Sequence, residues 1–260
     1  MLKLIKCEFW KLKRKKFIQL VIASAFLFPI PLTFIMMKPS IQERFSGPSE
    51  IYDALWNEII GFGIQFLFPC ILGTIAAILF FMERDNDTFK NLRTIPVSST
   101  EMVFAKICVL FIVSIVFCVA STVASIVCGS IIFEVNGIWY KLWFSVVMGI
   151  FTTAGTLPLV VVIVFFSRSY IFSILLCVFY SFLNMSATFM YDVLPKSVLH
   201  IFPNPLTTFW SAGNMAKHIK MDLTKLEFLI PSTIQVVTTL FIMATASIFI
   251  IVRLYRIREE

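Results

Sequence analysis

The sequence predicts an all-α polytopic membrane protein, six transmembrane helices behind a short amphipathic N-terminal helix, and three observations carry that prediction. First, 59% of the 260 residues are hydrophobic and only 14% are charged. A soluble domain carries about 25% charged residues, so this chain has too few to clothe a soluble surface of its size. Second, six runs, near 17–37, 59–82, 107–133, 142–166, 169–190 and 229–252, contain no Asp, Glu, Lys, Arg or His. Each is long enough to cross a hydrocarbon core, which takes about 20 helical residues. Third, the basic residues are one-sided. Six spans put both termini on one side, where the connecting segments collect 15 Lys and Arg against seven on the other. The positive-inside bias then places both termini in the cytoplasm. The net charge of +7 is thus a topology signal that favours anionic lipid, not a nucleic-acid-binding one.

Residues 1–16 form the amphipathic helix: Leu2, Ile5, Phe9 and Leu12 make a stripe at helical spacing, ringed by Lys3, Lys6, Lys13 and Arg14, with Trp10 suited to the membrane interface. The basic start leads into an apolar run without the small-residue cleavage site of a secretory signal. Within the transmembrane domain, 17–252, Pro29 and Pro31 in span 1, Pro69 in span 2 and Pro158 in span 4 are expected to bend or locally unwind their helices. Ser121, Ser125 and Gly129 recur every fourth residue in span 3, a small-residue face for close helix approach. In span 5, Ser181, Asn184 and Ser186 suit either a polar substrate path or hydrogen bonds between helices.

On the extracellular side, residues 38–58 read as a modest loop ending in Tyr52, Trp56 and Glu58. The segment 191–228 has too many large apolar groups for a free loop and too many prolines for a span, so it is expected to dip into the outer leaflet or pack over the span ends as short helices. His200 and His218, 18 residues apart, are expected to be exposed loop residues and not metal ligands. The six cysteines form no C-x-x-C pair and five fall inside apolar runs, where Cys is a small packing residue. Residues 253–260 are a cytoplasmic tail.

The one polar insert between apolar runs on the cytoplasmic side is 83–106. Asp87 or Thr88 caps a short helix that places Phe89 and Leu92 on one side and Lys90 and Arg93 toward another, and Pro96 stops it. Ser98-Ser-Thr-Glu101 then has the form of a capping box, which starts a new helix running into the third span. The insert is helix, corner, helix.

Glu83 at the end of the second span, Arg84-Asp-Asn-Asp-Thr-Phe-Lys-Asn-Leu92, Ile95-Pro-Val-Ser98 and Lys106 at the start of the third together resemble the signature loop of type-2 ABC exporter permeases. The likeness is greatest to the short six-span permeases that protect bacteria against lantibiotics and related peptide antibiotics. Glu83, Asp87, Thr88, Phe89, Leu92, Pro96 and Lys106 match that pattern, although the family often has Gly at the position of Asp87. The resemblance implies a type-2 ABC exporter-like fold in which 1–16 is the elbow helix and 83–106 is the coupling loop, its short helix seated in a groove of a separate ATPase. It also implies that the segment between spans 5 and 6 caps the translocation path.

The chemistry that is missing narrows the mechanism. No span carries the titratable groups an ion-coupled carrier needs at membrane depth, and no H-E-x-x-H or G-x-S-x-G motif is present. Nor is there a G-x-x-x-x-G-K-[ST] phosphate loop, and the longest cytoplasmic segment is far short of a nucleotide-binding domain. The chain reads as a transport subunit and not an enzyme; it binds no cofactor itself, and ATP and Mg belong to the partner. The expected assembly is two ATPases with two permeases, identical or paralogous, in the bacterial plasma membrane. The expected function is export of an amphiphilic peptide antibiotic, lantibiotic or bacitracin-like. The alternatives are another ABC cargo (sodium, lipid or a polysaccharide precursor) and a membrane scaffold or sensor partner that transports nothing.

Overall fold

A computed structural model describes residues 1–14, 17–85, 98–166, 170–218 and 226–259. Among the described residues there is no strand. Six helical stretches are long and apolar enough to cross a membrane: Ile18–Met36, Pro48–Phe81, Ser99–Ser130, Ile138–Phe165, Tyr170–Phe189 and Thr233–Ile257. Helix α1 (Leu2–Arg14) precedes them. Of its predicted stripe, Leu12 is buried, Ile5 and Phe9 pack against the bundle and Leu2 stays exposed, as does Trp10 outside the stripe.

The prolines act unequally. In the first span α2 (Phe17–Ser24) and α3 (Pro29–Met36) are separated by turns immediately before Pro29. The ring has no N–H to donate to the Ala25 carbonyl, and the turns before it close on shorter i→i−3 bonds, Phe26 N–H to the Ala23 carbonyl at 3.2 Å and Leu27 N–H to the Ser24 carbonyl at 3.1 Å. Thr33 Oγ1 donates to the Pro29 carbonyl at 2.7 Å. In the fourth span Pro158 lies inside an unbroken helix.

The second span corrects the expectation of a loop over 38–58. That stretch holds α4 (Pro39–Gln42) and α5 (Pro48–Glu58), and the long helix therefore begins at Pro48, not near 59. Proline at the first helical position follows an extended Gly47, and Ile51, Tyr52, Leu55, Trp56 and Ile59 are buried at helical spacing. Interspersed Glu50, Asp53 and Glu58 hide this pattern from an apolar-run search. The chain then widens into a π-helix, Ile59–Leu67, before α6 (Phe68–Asp85). Pro69 cannot donate to the carbonyl four residues back, that of Gln65, and the register shift sits directly upstream of it.

Helix α7 (Ser99–Ser130) starts on the predicted capping box. Ser98 Oγ accepts from the Glu101 amide at 3.3 Å, and the Glu101 carboxylate accepts from the Ser98 amide at 3.1 Å. Ser121, Ser125 and Gly129 are buried, and the Tyr52 ring lies against Gly129. Helix α8 (Ile138–Phe165) follows Gly137, whose φ of 56° is left-handed and favours glycine. It crosses α7 at Gly149, where a Cβ would meet the Ile115 Cα at 3.0 Å and Ser114 Oγ donates to the Gly149 carbonyl at 2.7 Å.

Helix α9 (Tyr170–Phe189) is the fifth span and α12 (Thr233–Glu259) the sixth. Between them lie α10 (Lys196–Leu199), α11 (Pro203–Met215) and a 3-10 turn, Glu227–Leu229. Trp210 of α11 stacks on Phe144 with ring centroids 5.6 Å apart. His200 departs from its expected exposure. It is buried, with Gln235 Nε2 2.8 Å from Nδ1 and the Leu229 carbonyl 3.0 Å from Nε2, which ties α10 to the start of the sixth span. His218 is exposed and lies over Tyr140. All six cysteines are free thiols.

The second, third and fourth spans are 61–67% buried over their apolar stretches, against 22%, 28% and 22% for the first, fifth and sixth. One end of the bundle gathers α1 and the C-terminal turns of α12: Arg256 donates to Thr100 Oγ1 at 3.2 Å, and Tyr255 packs edge-on against Phe80. This is the terminal end of the bundle.

Candidate functional site

At the terminal end the insert's two flanking helices are tied together. Glu83 lies in the last turn of α6. Asp87, Thr88, Phe89, Leu92 and Pro96 lie outside the described residues. Lys106 is two turns inside α7 and fully buried. Its Nζ donates to the Leu79 carbonyl of α6 at 2.8 Å and pairs with Glu8 of α1 at 3.1 Å. It also lies 5.6 Å from the centroid of the Phe80 ring. Glu8, itself buried, forms a second ion pair with Lys11. An ammonium out of contact with water persists only with such partners. One side chain therefore joins the helix that enters the insert, the helix that leaves it, and the N-terminal helix.

A second polar assembly runs through the bundle where the π-helix, α8, α9 and α11 meet. Gln65 Oε1 accepts from Thr208 Oγ1 at 2.8 Å, and its Nε2 donates to Ser211 Oγ at 3.3 Å. Asn184 Oδ1 accepts from the Asn204 amide at 3.3 Å, which satisfies an orphan donor in the first turn of α11. The Tyr180 hydroxyl donates to the Gly155 carbonyl. At Gly155 a Cβ would come within 2.6 Å of Pro203, so only glycine lets α11 seat there. These groups and Ser181 surround a chamber of about 20 Å³, the room one water needs. Among the described residues Ser181 Oγ and Asn204 Nδ2, on two of the residues lining it, have no hydrogen-bond partner. Of the three span-5 residues singled out from sequence, Ser181 and Asn184 therefore meet at one site. Ser186 is half-buried and does not line it.

A family model described as ABC-2 family transporter protein matches residues 4–184. The chain belongs to that family. It is accordingly the permease subunit of an ABC transporter, a multi-pass membrane protein that works with a separate ATPase subunit. No curated protein matches the chain. The matched stretch of the permease runs from α1 into the fifth span, so it includes Glu8, Lys106 and Gln65 but not α11 or α12.

At the permease's far end, opposite the termini, an ion pair escaped the sequence reading. Lys141, buried at the start of α8, pairs with Asp53 of α5 at 2.6 Å and donates to the Asn136 carbonyl at 2.9 Å and to the Asn136 side-chain oxygen. Asn136 Nδ2 donates to the other Asp53 oxygen at 3.0 Å, and the Tyr52 and Trp56 rings face the ammonium at 4.3 and 5.5 Å. Both charges lie just beyond the edges of the apolar runs, so counting by runs assigns them to loops. The extra helical turns carry them into the packed bundle. Gln65 and Asn204 had a weaker signal, one as an amide within an apolar run and the other between prolines. Among the described residues no group of His, Cys, Asp and Glu is arranged to hold a metal.

Proposed function

We propose that this permease belongs to a bacterial exporter that removes an amphiphilic peptide antibiotic from the plasma membrane. In this reading the termini are cytoplasmic, as the one-sided Lys and Arg require. Two ATPases, which bind ATP and Mg, serve two permeases, identical or paralogous, and each ATPase takes the 83–106 insert through Phe89 and Leu92. The observation that carries the coupling mechanism is the burial of Lys106 between Leu79 and Glu8. With the stems so joined, ATP-driven closure displaces α6, α7 and α1 as a unit and does not bend the insert alone. The displacement reaches the π-helix, whose Gln65 is bonded to α11, and from there the seam with α9. The uncovered apolar faces of the first and fifth spans supply surface for the second permease, and cargo is held between the two and expelled as they rock. The cargo class rests on the likeness of the insert to peptide-immunity permeases.

Replacing Phe89 and Leu92 by Asp tests this. The expected result is a permease that inserts normally but neither co-purifies with its ATPase nor confers peptide resistance. Undiminished resistance in that variant contradicts the docking role, and intact co-purification with resistance to no amphiphilic peptide contradicts the cargo.

A further inference from the structure

At the far end a cleft of about 470 Å³ opens between the π-helix region, the end of α9 and α11. That is within the roughly 300–1,000 Å³ range of small-ligand sites. Its walls include Phe62, Met185, Phe189 and Leu226, and among the described residues it carries a single carboxylate, Glu58. Phe62 and Phe189 are exposed at its mouth, so the cleft is open from the side.

Glu58 stands apart from the other described carboxylates that are buried or half-buried. Glu8 is paired with Lys106 and Lys11, Asp53 is paired with Lys141, and Glu50 accepts from the Ser46 amide at 2.9 Å. Glu58 is half-buried, yet among the described residues it makes no ion pair and no side-chain hydrogen bond. A carboxylate partly withdrawn from water is costly unless a cation completes it. None of the described lining residues is basic, and the hydroxyls and amides of Thr188, Gln65 and Thr208 are neutral. A ligand that carries a positive group on an apolar body satisfies both parts of the cleft together.

We infer that this cleft is the entry site for the cationic end of the cargo, with Glu58 receiving an ammonium or guanidinium while Phe62, Met185 and Phe189 receive the apolar part. The inference rests on the export reading for calling the ligand cargo, but the charge selectivity of the cleft can be measured by itself. Gly61 offers the probe: a Cβ there has nothing within 4 Å. The Gly61→Cys permease, reconstituted with its ATPase in phosphatidylcholine nanodiscs, is treated with cationic and anionic methanethiosulfonates of equal size. Rates are normalised to a free thiol, with the unaltered chain as blank. The cationic reagent is expected to react about fivefold faster, as for a single charge at close range in a largely aqueous site. The ratio falls to about one when Glu58→Gln is added. A Lys-bearing amphipathic peptide is expected to slow the labelling, its Glu-bearing counterpart not, and Glu58→Gln to abolish the difference. Equal rates for both reagents, or protection by both peptides alike, overturns the inference. Charge-selective protection in a transporter that confers no resistance upholds the cleft and removes only the export reading.

Discussion

Replacing Glu8 by Leu is expected to destabilise the permease more than replacing Lys106 by Met, and the two together are expected to cost less than either alone. Removing one member of a buried ion pair costs about 3–5 kcal/mol, most of it from the charge left behind. Without Glu8, Lys106 keeps the Leu79 carbonyl at 2.8 Å and the Phe80 ring, which places the loss near the lower limit, about 3 kcal/mol. Without Lys106, Glu8 keeps Lys11, whose side chain is 30% exposed, and the loss is about 2 kcal/mol. The double variant buries two apolar side chains, and the Lys11 ammonium it deprives of Glu8 is 30% exposed and stays hydrated, so about 1 kcal/mol or less is lost. Reversible unfolding in mixed micelles resolves such differences, and the cycle is expected to give a coupling of about 3 kcal/mol or more. If the two single losses simply add in the double variant, Glu8 and Lys106 do not act as a pair, and the joined-stem mechanism loses its basis.

At the far end, Asp53→Leu is expected to cost about 3–4 kcal/mol in the same assay, since Lys141 is left with neutral Asn136 oxygens; adding Lys141→Met recovers most of it. Gly149→Leu is expected to cost about 1–3 kcal/mol or more, because its first carbon already meets the Ile115 backbone and the third and fourth spans must part. Cysteine cross-linking between those spans reads that separation directly, and an unchanged cross-linking pattern counts against the close crossing.

Much of the frame was legible in the residues alone. Six apolar runs, the amphipathic stripe around Leu12, the capping box at Ser98 and the small-residue face of the third span all rest on local chemistry that acts within a few residues. The boundaries were less legible. Residues 38–58 form helices because Pro48 and the spacing of Tyr52, Leu55 and Trp56 outweigh three interspersed acids. That becomes visible only once there is a bundle for those side chains to pack against. The same holds for His200, which looks like an exposed loop residue until Gln235 and Leu229 enclose it.

The sequence by itself determined that this is a helical membrane protein with a polar insert between its second and third spans, because hydrophobic run length, charge asymmetry and capping are properties of contiguous chain. Only the tertiary structure decided which polar groups meet. Glu8 reaches Lys106 across 98 residues, Asp53 reaches Lys141 across 88, and Gln65 reaches Ser211 across 146. Nothing in the local chain encodes such pairings. They follow from the packing of helices at fixed distances, where an unpaired charge or amide in an apolar interior costs too much to persist.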